Sequence, residues 1–285
     1  MSQVQIVTDS LADIPEAIAK ELDIAVVPCL VHFGEQSFRD KVDLTADEFY
    51  KRLSESSVNP TTSQASPGAF VEVYRQLSEK TDQIYSIHAV SSLTGMYNSA
   101  RLAADAFRAT DPLNIQIEVV DSQQVSMAEG WLAILAARAA RYGADLDEIK
   151  ALVQDAIPRT HIIAMLDTLD YVVRGGRLGK GSALIGTLLN VKPILSIVNG
   201  QVHPVEKVRT QKRAIERLAD IALGSGPIQE LAVIHAAAPQ MAQELRDYFA
   251  TTWFEEQLIV GETGPVIGTH TGPGAVGVAW ITGKY

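Results

Sequence analysis

IYSIHAV-SSLTG-MYNSARLAADAF, residues 84–107, joins an apolar run to a helical pattern through a turn of small hydroxyl residues. The first seven residues predict a strand, and the apolar spacing after Gly95 predicts a helix. The same order of strand, short loop and helix recurs through the first half of the chain. Further strands are predicted at 4–8, 24–33 and 115–120, with Pro28 interrupting the second. This repetition is typical of a parallel α/β sheet.

Caps and apolar periods predict the helices of this half. Thr45 and Glu48 form a capping box before a helix that reaches residue 53. A later helix has four apolar residues on one face, at Met127, Trp131, Leu135 and Ala139. Ligands of parallel sheets lie beyond the carboxyl ends of the strands, where residues 91–95 are expected.

The second half of the chain has a pattern that predicts a mixed or antiparallel sheet. Residues 193–198 and 201–205 flank Asn199-Gly200, a pair that favours a type I′ hairpin turn. A closing strand is predicted at 276–281. We therefore expect an α/β protein of two lobes with its ligand between them. Residues 1–158 are expected to form a Rossmann-like parallel lobe, and residues 159–285 are expected to form a lobe with a mixed or antiparallel sheet.

The composition of the chain argues against several classes of protein. With 285 residues, 47% of them apolar, the chain can bury a large core. A net charge of −10 argues against nucleic-acid binding, which needs basic surface. The single cysteine, Cys29, excludes an internal disulfide and favours a reducing compartment. Because neither a signal pattern nor a membrane-length apolar run occurs, we expect a soluble, cytoplasmic protein without a membrane span.

Basic residues are concentrated between residues 174 and 213. This segment has eight Lys and Arg residues and one acidic residue, Glu206, so it carries +7 while the rest of the chain carries −17. One interpretation is a solvated basic face. The other is a surface that docks an acidic partner or rims an anion site.

Three stretches of hydroxyl residues and glycine are predicted to be loops: NPTTSQ at 59–64, VSSLTG at 90–95 and GTHTGPG at 268–274. Hydroxyls and free backbone N–H groups bind oxyanions, above all where a helix starts. None of the stretches has paired carboxylates, clustered histidines or an activated nucleophile. They therefore predict an anion-binding site with no catalytic residue and no metal. The alternative is that the hydroxyls only cap their own helices.

His270 is the one histidine interpreted as functional. Glycines at 268, 272 and 274 let the backbone approach a ligand, and an imidazole donates readily to a carboxylate or phosphate. The other five histidines lie in or beside apolar strands and are interpreted as structural. The G-x-G-x-x-G match at 272–277 is not a dinucleotide fingerprint, because a strand rather than a helix follows it.

Six motifs occur in the order seen in DegV proteins, which the chain resembles over nearly its whole length. They are VTDS at 7–10, PTTSQ at 60–64, LTGMY at 93–97, RGGRL at 174–178, VKPIL at 191–195 and GTH at 268–270. DegV proteins resemble the fatty-acid-binding subunits of bacterial fatty acid kinase. The resemblance implies a two-lobed protein that buries a long-chain fatty acid. Its carboxyl group is presented to a separate kinase subunit, which supplies ATP and makes the acyl phosphate.

The resemblance also assigns residues to roles. The family's carboxylate-binding threonine falls on Thr62, the serine of its L-S-G motif on Thr94, and its histidine on His270. Ser63 and Gly95 are expected to bind the carboxylate beside them. The supporting candidates are Thr61, Ser91, Ser92 and Thr269.

Three arginines of the family pattern are expected to balance charge or contact the kinase: Arg174, Arg177 and Arg209. The chain departs from the pattern at three places. Val90 and Met96 replace hydroxyl residues, which weakens the contribution of that turn, and Ala65 replaces a proline.

Three functions compete at this point. The leading one is a fatty-acid carrier that is not catalytic alone, needs no cofactor besides its ligand, and contacts membranes only transiently. The second is a hydrolase or phosphotransferase in which His270 is the general base for a Ser or Thr nucleophile. The third is a carrier of another amphipathic or phosphorylated metabolite.

Overall fold

The computed structural model describes residues 3–110, 115–179, 191–250 and 258–283. Its first sheet consists of β1 (Gln5–Asp9), β2 (Ile24–Val27), β6 (Gln83–His88) and β7 (Gln116–Asp121), numbered in chain order. All neighbours in the order β2-β1-β6-β7 pair in parallel. The predicted parallel sheet is confirmed.

The second sheet is mixed, as predicted, and starts directly after residue 159. Its strands are β8 (Thr160–Met165), β9 (Lys192–Val198), β10 (Gln201–Val208), β11 (Ile228–Ala236), β12 (Leu258–Glu262) and β13 (Ala275–Thr282). They lie in the order β10-β9-β8-β13-β11-β12, with β11 and β12 parallel and the other neighbours antiparallel. Asn199 and Gly200 have φ values of 48° and 70°, as a type I′ turn requires.

A third, small sheet was not predicted. It pairs β3 (Leu30–Phe33) with β4 (Gln36–Arg39) and β5 (Thr61–Ser63), antiparallel and in the order β4-β3-β5. The apolar run at 24–33 therefore divides into two strands of different sheets, because Pro28 has no N–H group to continue a ladder. The predicted loop at 59–64 is also wrong in part, since β-branched threonines suit the extended backbone of β5.

The helices surround these sheets. The described residues contain α1 (Glu16–Glu21), α2 (Ala46–Glu55), α3 (Pro67–Ser78), α4 (Met96–Thr110), α5 (Met127–Arg141), α6 (Leu146–Ala156), α7 (Asp170–Arg174), α8 (Gln211–Leu223), α9 (Pro239–Ala250) and α10 (Pro265–Thr271). The capping box of Thr45 and Glu48 at α2 is present. None of these helices has the length and apolar character that a bilayer span requires.

Helix α5 lies in the core between the two main sheets. The single apolar face predicted for it is too narrow, because Leu132, Ala133 and Ile134 are also fully buried. Side chains of both sheets contribute to the apolar cluster around it. The Trp131 indole N–H donates to the Ala279 carbonyl of β13 at 3.1 Å. The helix thereby ties the second sheet to the first.

Candidate functional site

An apolar cavity lies between the two lobes and is lined by both. Four residues at matched register form a row across the second sheet: Leu195, Ala164, Gly277 and Ile234. Residues of the first lobe, among them Leu11, Cys29 and Val125, also line the cavity. Because alanine and glycine occupy the middle of the row, space remains above the sheet. The volume of the cavity is about 170 Å³.

The hydroxyl residues of β5 form part of the polar lining. Thr62 pairs with Val31 of β3, which fixes its position along the strand. Thr62 and Ser63 both line the cavity, whereas Thr61 is exposed outside it. The Ser63 hydroxyl lies 2.9 Å from Nε2 of His32. Thr62 is therefore the β5 hydroxyl best placed to meet a ligand.

The third predicted loop is largely a helix, which corrects the expectation for residues 268–274. Helix α10 starts after Gly264 with Pro265 at its first position and ends at Gly272, whose φ is +71°. His270 lies in the last turn of α10. The unpaired N–H groups at the start of α10 are therefore at the opposite end of that helix from His270. Of the three stretches, only residues 90–95 directly precede a helix start.

The first lobe fixes the start of α10. The Gly264 N–H donates to Asp13 at 2.9 Å, and the Val266 N–H donates to Asp40 at 3.4 Å. Lys41 pairs with Asp13 at 2.7 Å. Further along, Tyr50 packs so closely on Gly268 that a Cβ atom there would lie 2.6 Å from its hydroxyl oxygen. These side chains determine where His270 can lie.

Thr62 and His270 meet in the cavity wall. The Thr62 Oγ1 atom lies 2.9 Å from His270 Nε2, joining residues 208 positions apart. Nδ1 of the same ring is buried and has no hydrogen-bond partner among the described residues. Burial, aided by the positive charge of Arg177, lowers the pKa of His270 to about 4. The ring is therefore neutral near pH 7.

The turn before α4 contributes Thr94 to the lining. Gly95 lies behind it, where a Cβ atom would come within 2.8 Å of the Gln64 side chain. Ser92 does not face the cavity, because its hydroxyl donates to the Gly200 carbonyl at the tip of the β9–β10 hairpin. The turn is therefore held against the second lobe.

The three predicted arginines occupy different positions. Arg177 lines the cavity and donates to the carbonyls of Gly175 at 2.7 Å and Leu93 at 3.3 Å. Arg174 lies at the surface, 5.0 Å from the ring centre of Tyr171, and donates to Asn59. Arg209 lies in a separate surface cleft with Asp167 and Lys192 among its walls.

Some of the other basic residues of the 174–213 segment are in ion pairs with acidic side chains. Lys192 pairs with Asp167, and Arg213 pairs with Glu216. Lys180 lies outside the described residues. The segment therefore contributes one cation to the cavity, through Arg177, among the residues that the structure describes.

The structure thus brings part of the predicted site together. Five of the predicted residues line one cavity: Thr62, Ser63, Thr94, Arg177 and His270. Seven others do not line it: Thr61, Ser91, Ser92, Gly95, Thr269, Arg174 and Arg209. Thr269 is buried and donates to the Pro265 carbonyl within α10. Within the described ranges, no group of His, Cys, Asp and Glu is arranged to hold a metal ion.

Gly175 is a site residue that the sequence did not reveal. A Cβ atom at this position would lie 2.1 Å from Nδ1 of His270. In the RGGRL motif the predicted roles belong to the arginines, yet its first glycine is the residue against which the imidazole packs. The glycine pair was the available signal, because it marks a place of close backbone approach.

A family model described as uncharacterised protein, DegV family, matches residues 3–283. The chain belongs to the DegV family. A DegV domain-containing protein of Caldanaerobacter subterraneus is 39% identical over 281 residues, which are 98% of each chain. The resemblance seen in the ordered motifs is therefore confirmed.

Solved DegV structures share the fold over their whole length. The structure of a DegV family protein from Thermus thermophilus, described for its fatty acid binding, has a TM-score of 0.89 at 31% identity. It covers 99% of this chain and 100% of its own. DegV of Bacillus subtilis, described as a fatty acid binding protein, has a TM-score of 0.87 at 32% identity with the same coverage. The architecture with two main sheets is that of the DegV family.

Proposed function

We propose that this DegV protein binds a long-chain fatty acid in the cavity between its lobes. Thr62, Thr94 and His270 surround the carboxylate, with Ser63 and Arg177 beside them. The observation that carries the proposal is one cavity with apolar walls from both lobes and a cluster of hydroxyls, an imidazole and a guanidinium in its lining. The related structures described as fatty acid binding support it.

The tail and the head group contribute in different ways. Burial yields about 0.8 kcal/mol per CH₂ group, so a 16-carbon tail supplies on the order of 10 kcal/mol before entropic costs. A hydrogen bond to the charged head group contributes about 1.5–3 kcal/mol. The tail therefore dominates affinity, and the polar cluster fixes the orientation of the carboxylate.

The proposal includes presentation of the bound acid to a separate kinase that supplies ATP, in the cytoplasm. Arg174 and Arg209 lie at the surface outside the cavity, where they suit contact with an acidic partner. The buried free thiol of Cys29 suits a reducing compartment.

The geometry of His270 favours a carrier over a hydrolase. A general base needs a third group that orients it, and Nδ1 has no such partner among the described residues. A ring with a pKa near 4 is also a weak base at neutral pH. We therefore assign His270 to binding.

A serine–histidine–aspartate arrangement exists in the first lobe. His88 Nδ1 lies 3.0 Å from Asp9, and its Nε2 lies 2.6 Å from the Ser86 hydroxyl. All three residues are fully buried, and Ser86 also bonds to the Tyr74 hydroxyl. No substrate reaches this serine, so the arrangement stabilises the core.

A pair of substitutions at Thr62 tests the proposal. Thr62→Ala removes the hydroxyl and should weaken palmitate binding about 10- to 100-fold, whereas Thr62→Ser keeps the hydroxyl and should bind nearly as the wild type does. Calorimetric titration measures both. Equal affinity in Thr62→Ala and wild type would contradict the role of Thr62.

Activity assays of the purified wild-type protein distinguish a hydrolase or phosphotransferase from a carrier. A hydrolase would turn over acyl esters or phosphoesters without a partner and lose that activity in His270→Ala. The carrier should show no turnover alone and should yield acyl phosphate only with ATP and the kinase.

A further inference from the structure

The β9–β10 hairpin forms one wall of the cavity, but only its base is built into the second sheet. Strand β9 pairs with β8 from Ile194 to Ser196, whereas its pairing with β10 continues to Val198. Beyond Ser196, no further pair between β8 and β9 is formed among the described residues. Residues 197–202, here called the distal hairpin, therefore extend past the ladder that joins the hairpin to the sheet.

Side chains occupy the edge of β8 beside the distal hairpin. The Ser196 hydroxyl donates to the Ile162 carbonyl at 2.8 Å, and the Gln124 side-chain amide donates to the Thr160 carbonyl at 3.0 Å. Both carbonyls are thus satisfied without the backbone of β9, as buried acceptors require. Moving the distal hairpin away from β8 therefore leaves neither of them without a partner.

The outer face of the distal hairpin is open to solvent. At the base of the hairpin, Ile194 and Val208 are 0% and 5% exposed and belong to the apolar cluster that includes α8. Val198 lies on the same face of β9 as Ile194, since side chains two residues apart share a face, but it is 45% exposed. The distal hairpin is therefore not packed against α8 as the base is.

A β-bulge marks the boundary between the base and the distal hairpin. The register of β9 with β10 shifts between Pro204 and Glu206, which leaves Val205 outside the ladder and 44% exposed. A bulge bends its strand locally, and proline supplies no N–H group to a ladder. The hairpin is therefore weakest at the place where a bend would separate its two halves.

The first lobe holds the tip of the hairpin. The Ser92 hydroxyl donates to the Gly200 carbonyl, and a Cβ atom at Gly200 would lie 3.0 Å from the side chain of Val90. These contacts bury Gly200 although it lies at the tip. On the inner face, Ile197 and Val202 line the cavity. The wall is thus closed by contacts with the first lobe.

We propose that the distal hairpin is a flap through which the acyl chain enters and leaves the cavity, and that Ser92 is its latch. In the closed position, Ile197 and Val202 complete the cavity wall. Bending at the bulge moves both side chains away from the first lobe and opens the cavity between the lobes. Opening breaks the hydrogen bond at the tip and the apolar contacts of the inner face. This inference rests on the proposed function of the cavity.

Ser92→Ala removes the latch and tests it by kinetics. Release of parinarate, a fluorescent fatty acid, into excess palmitate should be about two- to tenfold faster than from wild type in stopped-flow measurements. Entry should accelerate by the same factor, so the affinity should stay within about twofold. Ser54→Ala is the control, because it removes an exposed hydroxyl that donates to the Lys51 carbonyl in α2. Unchanged rates in Ser92→Ala, or a loss of affinity without faster entry, would overturn the latch.

A disulfide across the tip tests the movement itself. Ser92→Cys is combined with Gly200→Cys, because a Cβ atom at Gly200 lies 4.0 Å from the Ser92 hydroxyl oxygen, close to the reach of a disulfide. The natural Cys29 is buried. The oxidised protein should exchange fatty acid at least tenfold more slowly than the same protein reduced. Both forms share the replaced glycine, whose φ is +70°. Equal rates would overturn the flap.

Hydrogen exchange of the ligand-free protein separates this inference from the proposed function. The amides of the distal hairpin should exchange faster than those of β8, and about two- to tenfold faster again in Ser92→Ala. If this pattern holds and palmitate fails to bind, the fatty-acid carrier is contradicted and the flap stands. Equal exchange in Ser92→Ala and wild type would overturn the flap whether or not palmitate binds.

Discussion

At the scale of single residues, His270 is defined by what surrounds each ring nitrogen. Burial removes water from the imidazole, and the guanidinium of Arg177 opposes a second positive charge, so its pKa falls from 6.5 to about 4. A neutral ring carries no positive charge and can donate from one nitrogen only. The positive charge of the head-group site therefore comes from Arg177, and its other hydrogen-bond donors are hydroxyl groups.

The lowered pKa of His270 makes stability depend on pH in a defined direction. Between pH 6.5 and pH 4 the unfolded chain holds a proton on this residue and the folded chain does not. Stability therefore rises with pH and is lost as pH falls through this window. From pH 7 to pH 5, wild type should lose about 1–2 kcal/mol more than His270→Gln.

Urea unfolding of both proteins at the two pH values measures the difference. Groups common to both proteins cancel in this comparison, including Asp40, whose pKa burial raises to about 6. Parallel losses in the two proteins would show that His270 is charged in the folded state.

At the scale of elements, α10 shows why local sequence was insufficient. GTHTGPG has poor helix-forming residues and reads as a loop. The helix forms because Asp13 and Asp40 accept from its first N–H groups and because Tyr50 packs on Gly268. These partners lie more than 200 residues away in the chain. By contrast, Asn199-Gly200 and the capping box at Thr45 act through neighbours, and both were predicted correctly.

Lys41 should stabilise the carboxylates that bind the start of α10, Asp13 and Asp40. Its ammonium group pairs with the buried Asp13 and also favours the charged form of Asp40. Lys41→Met leaves both carboxylates without that cation and should destabilise the fold by about 2 kcal/mol at pH 8, since the lysine is partly exposed.

The deficit of Lys41→Met should shrink as pH falls. The pKa of Asp40 is raised to about 6 in the folded protein, so the folded state gains protons below that pH and the cost of its buried charge disappears. Denaturant unfolding at pH 8 and pH 5 gives both values. A deficit that grows toward pH 5 would contradict this account of Asp40.

At the scale of the whole molecule, the cavity exists only because two lobes meet. The sequence predicted both main sheets through periodicity, and the family resemblance pointed to five of the polar residues that line the cavity. It could not show that Thr62 and His270 touch, because nothing local joins strand β5 to α10. Nor could it separate Ser92, which bonds to the hairpin, from Thr94, which lines the cavity.

Filling the cavity should abolish tail binding without unfolding the protein. Ala164 lies in the middle of the row that leaves space above the second sheet. Ala164→Leu adds three carbon atoms there and should weaken palmitate binding at least tenfold, with a change in folding free energy within about 1 kcal/mol. Ala69→Leu adds the same atoms at an exposed helix position and is the control. Undiminished binding in Ala164→Leu would place the acyl tail elsewhere.

Native mass spectrometry of freshly purified protein tests the central claim most directly. We expect wild type to carry an added mass equal to one long-chain fatty acid, and Ala164→Leu to lack it. A chain that remains bare after incubation with palmitate, or that carries a phosphorylated metabolite instead, would contradict the proposal that this DegV protein is a fatty-acid carrier.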